Sequence, residues 1–252
     1  QMISVGELSQ LDRYCVYDSV CTCGEPVSRC PFWAGINERT QLRFPINPTS
    51  SIAHLFFYRG ASLRHDPHCF SVMLRNIELY EKIGEISGKP VIVDASKNLL
   101  RLYYLFRSGH IRLLPVYLVR DGRAYIDSAK RRGGYTVPAF FRWVRHNLLA
   151  ITVLKRIRPG ERLIEINYSR FTQDPEFYLR KICEKAGLGY DPAMLNYHEA
   201  TFHNISGMRT RFSLEPIRAN ETWQKRLSFF SKLLFLLFGG HYFNRRFGAK
   251  YK

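Results

Sequence analysis

"YLVRDGRAYIDSAKRRGG", residues Tyr117 to Gly134, passes abruptly from an apolar strand into a basic helix. Arg120 stands at the seam, Ser128 follows in the helix, and Lys130, Arg131 and Arg132 close the run. An arginine held at a strand end loses side-chain freedom and is seldom fixed there without an anion to meet it. The seam of an open α/β sheet is also where ligands gather. The competing reading pairs Arg120 with Asp121 or Asp94 and leaves Ser128 on the helix surface.

Outward from this seam the chain alternates strands and helices. Apolar residues recur at helical spacing from Asp66 to about Ile86 (Phe70, Met73, Leu74, Ile77, Tyr80, Ile83), and Gly88 and Pro90 end that helix. "VIVD" at 91–94 predicts a short strand covered on both faces. Leu99 to Phe106 predicts a helix, "LLPVYLV" a second strand, and Arg123 to Arg132 a helix. "PAFFRWVRHNLLAITVLKRI" gives a long amphipathic helix and "RLIEINY" a third strand. "DPEFYLRKICEKAGL" predicts a helix opened by Asp174 with Pro175 in its first turn. Up to about Gly60 the sequence is irregular and predicts loop and turn. The alternation implies an α/β fold, three layers with a mainly parallel sheet and helices on both faces. In such a sheet Asp94 to Lys97, Arg120, and Tyr168 with Ser169 fall at strand ends along one edge. No internal repeat is present.

At 252 residues and 46% hydrophobic content the chain can bury a substantial core and predicts one domain, residues 1–252, with an apolar and basic C-terminal helix and tail over 228–252. Thirty-eight basic against 21 acidic side chains give a net charge of +17, which calls for an anionic partner: nucleic acid, an anionic membrane or a phosphorylated small molecule. Nucleic acid is disfavoured because the aromatics fall inside helix and strand patterns and do not interleave with the basic residues. A P-loop kinase is disfavoured because GxxxxGK[ST] is missing. "FFSKLLFLLF" at 229–238 is too short to span a bilayer, which needs about 20 residues, and packs on the domain or lies on a surface.

The segments "VDASKN", "YLVRDGRAYIDS", "INYSRFTQDPEFYLRKICEKAGL" and "HNISGMRTRF…ETWQKRL" together resemble the sulfotransferases that use 3'-phosphoadenosine 5'-phosphosulfate (PAPS), in particular the bacterial type and the tyrosylprotein sulfotransferases. The resemblance covers nearly the whole chain in order and implies a P-loop-NTPase-like sulfotransferase fold. It implies transfer of a sulfuryl group from PAPS to a hydroxyl or amine of a carbohydrate, lipid or tyrosine acceptor, with PAPS as donor and no metal required. Arg120 and Ser128 match the residues that hold the 3'-phosphate. Eight helical residues rise roughly 12 Å, a gap that a turn at Asp121–Gly122 and the arginine's length can close.

"SGMRTRF" is similar to the loop that closes over that phosphate, which assigns Arg209 and Arg211 as anion contacts and Gly207 as the point of close backbone approach; Ser206 and Met208 depart from the usual glycine and asparagine. Glu7, in "VGELS", matches the catalytic base; His203 is a second candidate base. Lys97, in "DASK", stands where a cation would stabilise the bridging oxygen or sulfonate, with Ser96 beside it as a donor. The strand, "PRSGTT"-like loop and helix with which that family begins have no counterpart. The expectation is therefore an N-terminally truncated chain, either a fragment or a non-catalytic remnant that binds nucleotide. Free cysteines suit a bacterial cytoplasm, a eukaryotic enzyme of this kind would sit at the Golgi membrane, and the C-terminal helix allows peripheral membrane contact.

Six cysteines fall at 15, 21, 23, 30, 69 and 183. The group "CTCGEPVSRCPFW" offers Cys21, Cys23 and Cys30 as thiolates with Cys15 as a fourth, but spacings of one and six residues depart from paired zinc-ribbon spacing. A metal site, a disulfide or redox pair, and a packed loop of free thiols all remain open.

Overall fold

The computed structural model describes residues 1–40, 46–47, 67–206, 212, 216–218 and 221–248. These residues form an α/β architecture of helices around two small parallel sheets, divided into two compact units. One unit comprises Gln1–Leu113 and Asn196–Glu215; the other comprises Leu114–Leu195 and Pro216–Lys252.

In the first unit strand β1 (Met2–Gly6) pairs in parallel with β2 (Val91–Asp94), in the register Met2↔Val91, Ile3↔Ile92, Ser4↔Val93 and Gly6↔Asp94. The chain between them passes through helices Leu11–Val16, Pro31–Thr40 and Pro67–Ser87, and a helix Leu99–Ser108 follows β2, its Arg101 N–H donating to the Asn98 side chain. A register shift between Ser4 and Gly6 turns the end of β1. There Gly6 takes φ +74°, and a β-carbon on it would come 2.2 Å from the Ile205 carbonyl oxygen. Only glycine accepts both that torsion and that approach. Residues 202–206 run alongside: Glu7 N–H donates to Ile205 O at 2.9 Å, and Ile205 N–H to Val5 O at 3.2 Å. Val5, Leu8, Trp33, Ile36, Leu79 and Ile205 form the core beneath.

In the second unit β3 (Val116–Val119) pairs in parallel with β4 (Ile164–Asn167), Val119 opposite Asn167. Helices Gly122–Lys130 and Thr136–Ile157 connect them, and helices Tyr168–Gln173 and Pro175–Ala186 follow. The Asp174 carboxylate accepts the Phe177 N–H at 3.0 Å, the N-terminal cap expected of "DPEF". Phe140, Trp143, Val119, Ile126, Leu227 and Phe235 make the core.

Three expectations need correction. The N-terminal forty residues are not irregular: "MISVG" is a strand, and "PFWAGINERT" is a helix opened by Pro31. Instead of one sheet, the strands among the described residues form two sheets of two. The strand at 91–94 is not covered on both faces either, since Val93 is 42% exposed. Helix periodicity and short β-branched runs survive in sequence because they are local, whereas which strands pair depends on segments far apart in the chain.

Candidate functional site

The carboxyl ends of paired parallel strands collect the polar groups in each unit. At the β1/β2 edge the turn after Gly6 delivers Glu7, and the residues after Asp94 deliver Ser96 and Lys97. Glu7 Oε1 forms an ion pair with Lys97 Nζ, and Ser206 Oγ donates to Glu7 Oε2 at 3.4 Å. The Glu7 side chain is 23% exposed and that of Lys97 70%. Glu7 therefore sits partly sheltered between an ammonium and a hydroxyl. Ser96 is engaged otherwise, its Oγ accepting the Ser9 N–H at 2.7 Å.

Beneath this pair lies a buried polar network that fixes the edge. Asp94 Oδ2 accepts from Tyr80 Oη at 2.6 Å and stands 3.5 Å from Arg101 Nη2. Its Oδ1 accepts the Ser96 N–H at 2.7 Å and the Leu8 N–H at 3.3 Å. Arg101, 2% exposed, also donates to Asn76 Oδ1, to Ile46 O at 3.3 Å and to Tyr80 Oη at 2.8 Å. Burial pushes the Tyr80 hydroxyl above its usual range, against the pull of the Arg101 guanidinium. Asp94 thus ties the start of the 8–10 turn to the end of β2. A cleft of about 390 Å³, lined by Gln10, Arg13, Tyr14, Tyr17, Ser19 and Ser206, shares Ser206 with the Glu7 group.

At the β3/β4 edge Arg120 lies with its guanidinium 4.8 Å from the centre of the Tyr168 ring, the residue that follows β4. Asp121, the acidic neighbour most able to neutralise it, is 1% exposed and already used. Its carboxylate accepts Arg123 N–H at 2.7 Å and Arg123 Nη2 at 2.8 Å, and Asn244 Nδ2 at 2.8 Å. Arg123 in turn stacks over Trp223 at 5.0 Å. Among the described residues no carboxylate stands within salt-bridge distance of Arg120. Ser128 is buried at 8% exposure in the same helix, not on its surface. In the basic run beyond it, Lys130 Nζ donates to Ser231 Oγ at 3.3 Å and Arg131 pairs with Asp127 at 3.4 Å.

Gly207, Arg209 and Arg211 lie outside the described residues. His203 is placed among thiols, its Nδ1 3.3 Å from Cys30 Sγ and 4.0 Å from Cys21 Sγ, and burial lowers its pKa. Ser206 and Tyr168 are the contacts that the sequence did not assign. Tyr168 is signalled by its place after a strand, while nothing local marks Ser206, which meets Glu7 across 199 residues.

No protein-family model matches the chain, and no curated protein matches it. Two solved structures align over 94% of it: the sulfotransferase domain from the curacin biosynthetic pathway, at 14% identity, TM-score 0.46 and 96% of that chain, and the sulfotransferase domain from the Synechococcus PCC 7002 olefin synthase, at 14% identity, TM-score 0.39 and 93% of that chain. At these identities and scores neither likeness fixes an activity for this chain. Among the described residues no helix is long and apolar enough to cross a membrane.

Proposed function

We propose that the chain is a sulfotransferase that takes PAPS as donor and transfers its sulfuryl group to an acceptor hydroxyl. The observation that carries this reading is Arg120: a cation at a strand end, backed by an aromatic face, whose adjacent carboxylate is consumed by Arg123 and Asn244. A guanidinium so placed is preorganised for a phosphate, to which it offers two parallel donors. Ser128 supplies a neutral hydroxyl in the helix that starts just after the seam.

In the reaction the acceptor oxygen forms a bond to sulfur while the bond from sulfur to the 5'-phosphate oxygen breaks. The products are a sulfate ester and 3',5'-adenosine bisphosphate, and the acceptor's proton passes to Glu7. Lys97 pairs with Glu7, the base in this reading, and offers positive charge to the oxygens that become more negative. The cleft that shares Ser206 with Glu7 is the acceptor's approach in this reading. Phe229, Phe230, Leu236 and Leu237, 80%, 64%, 57% and 68% exposed, support contact of the 229–237 helix with a membrane surface that carries a lipid acceptor.

Calorimetry with 3',5'-adenosine bisphosphate tests the donor site. The parent binds, and Arg120→Ala weakens binding roughly 10- to 100-fold, the value of a charge-assisted contact to phosphate. Unchanged affinity in Arg120→Ala refutes the assignment.

A further inference from the structure

Cys21, Cys23, Cys30 and His203 bring four soft or borderline donor atoms together, all within 4.8 Å of one another. The sulfurs of Cys23 and Cys30 are 3.6 Å apart, Cys30 Sγ is 3.3 Å from His203 Nδ1, and Cys21 Sγ is 4.0 Å from the same nitrogen. A zinc ion with Zn–S near 2.3 Å and Zn–N near 2.05 Å at the centre of a tetrahedron requires S···S edges of about 3.8 Å and S···N edges of about 3.6 Å. The observed separations scatter around those edges. They are far from a disulfide, whose sulfurs sit about 2.05 Å apart.

The surroundings hold the donors in place as a metal site needs. Cys21 N–H donates to Glu25 O at 2.9 Å and Gly24 N–H to Cys21 O at 3.0 Å, which closes the 21–25 turn around two of the thiols. Asp18 accepts from Ser28 N–H at 2.9 Å and Ser28 Oγ at 2.8 Å and clamps the base of the same loop. Cys30 immediately precedes helix Pro31–Thr40, and the backbone N–H groups of Phe32 and Trp33 point at its sulfur, as the Cys23 N–H does at that of Cys21. His203 is presented by the distant 202–206 segment: Trp33 Nε1 donates to its carbonyl at 2.8 Å, and the Phe32 ring stacks on its imidazole at 5.3 Å. Thr22 Oγ1 donates to Phe202 O at 2.6 Å and accepts the Asn204 N–H at 2.8 Å. Cys15 is not one of the four; the sequence offered it as fourth ligand, and the structure puts an imidazole in that role.

We propose that Cys21, Cys23, Cys30 and His203 bind one zinc ion as a closed structural Cys₃His centre, with Nδ1 of His203 as the nitrogen ligand. Three thiols give up their protons to solvent as the ion binds, and the imidazole binds neutral, so the centre carries a net charge of minus one. Three sulfurs and an imidazole in tetrahedral array select zinc over magnesium or calcium, which take oxygen ligands. Four protein ligands leave no position for water, which makes the site structural rather than catalytic. Its effect is to staple the N-terminal loop to the segment that carries Ile205 and Ser206, the residues that bond the turn holding Glu7.

The test uses the full chain, expressed with zinc in the medium and purified in reductant without chelator, with zinc measured by mass spectrometry. About one zinc per chain is expected in the parent and in Cys15→Ser, a near-total loss in Cys23→Ser and in His203→Ala, and retention in His203→Cys, which restores a fourth soft ligand. Protein produced with cobalt should show the thiolate charge-transfer and intense visible bands of a tetrahedral sulfur site. This spectrum decides the matter in the parent alone if the variants fail to fold. A parent without zinc and without that cobalt spectrum overturns the proposal. So does a Cys23–Cys30 disulfide in the freshly isolated parent, or zinc retained in both Cys23→Ser and His203→Ala.

Discussion

The difference between Arg120 and its basic neighbours lies in what surrounds each one. Arg123, Arg131 and Arg226 each find a carboxylate, at 2.8, 3.4 and 3.0 Å, and serve the fold. Arg120 finds an aromatic ring, because Asp121 is turned inward to cap its helix. Glu7 shows the opposite economy: its ion-pair partner Lys97 is mostly in solvent, where such a pair contributes under about 1 kcal/mol. Glu7→Gln should therefore change unfolding free energy by less than about 1 kcal/mol, measured by urea denaturation. The same change should slow labelled-sulfate transfer from PAPS roughly 10²- to 10⁴-fold, the range for loss of a general base, with the parent's best phenolic or carbohydrate acceptor as probe. A stability loss in place of a rate loss would make Glu7 a structural residue.

At the scale of elements, the end of β1 matters more than its length. Five residues with a register shift would be a weak strand, but β2 on one side and the Ile205 bridge on the other hold its last turn. Gly6 is where all three backbones meet. Gly6→Ala puts a methyl group against the Ile205 backbone and forces φ +74° on an L-residue. A loss of about 2–4 kcal/mol in stability is expected, with amide protection lost first at Glu7 and Ile205 in hydrogen exchange. Protection unchanged at those amides would show that the bridge does not hold the turn. Gly122 has a comparable constraint, since a β-carbon there would meet Phe235 at 2.7 Å and Trp143 at 2.8 Å; this keeps the helix after Arg120 close against its core.

Across the whole molecule, a charge of +17 acts on any anion before contact. Affinity for 3',5'-adenosine bisphosphate should fall roughly tenfold between about 0.05 and 0.5 M salt as the Debye length shrinks from about 14 Å to about 4 Å. In Arg120→Ala the decline should be shallower, because one charged contact has gone. Equal slopes would place the nucleotide's phosphates away from Arg120.

The amino-acid order alone determined the long helices, the three strands after residue 90, the Asp174 cap and the strand-to-helix seam at Arg120. Each of these depends on residues a few positions apart, and so leaves a periodic or positional trace. Tertiary structure alone decided that "MISVG" is a strand with a partner 89 residues on, that Asp121 turns away from Arg120, and that Ser206 meets Glu7. It also decided that His203 and not Cys15 completes the thiol cluster, across 173 residues from Cys30. Contacts between distant segments are set by how packed cores bring backbones together, and no local spacing in the chain encodes that distance.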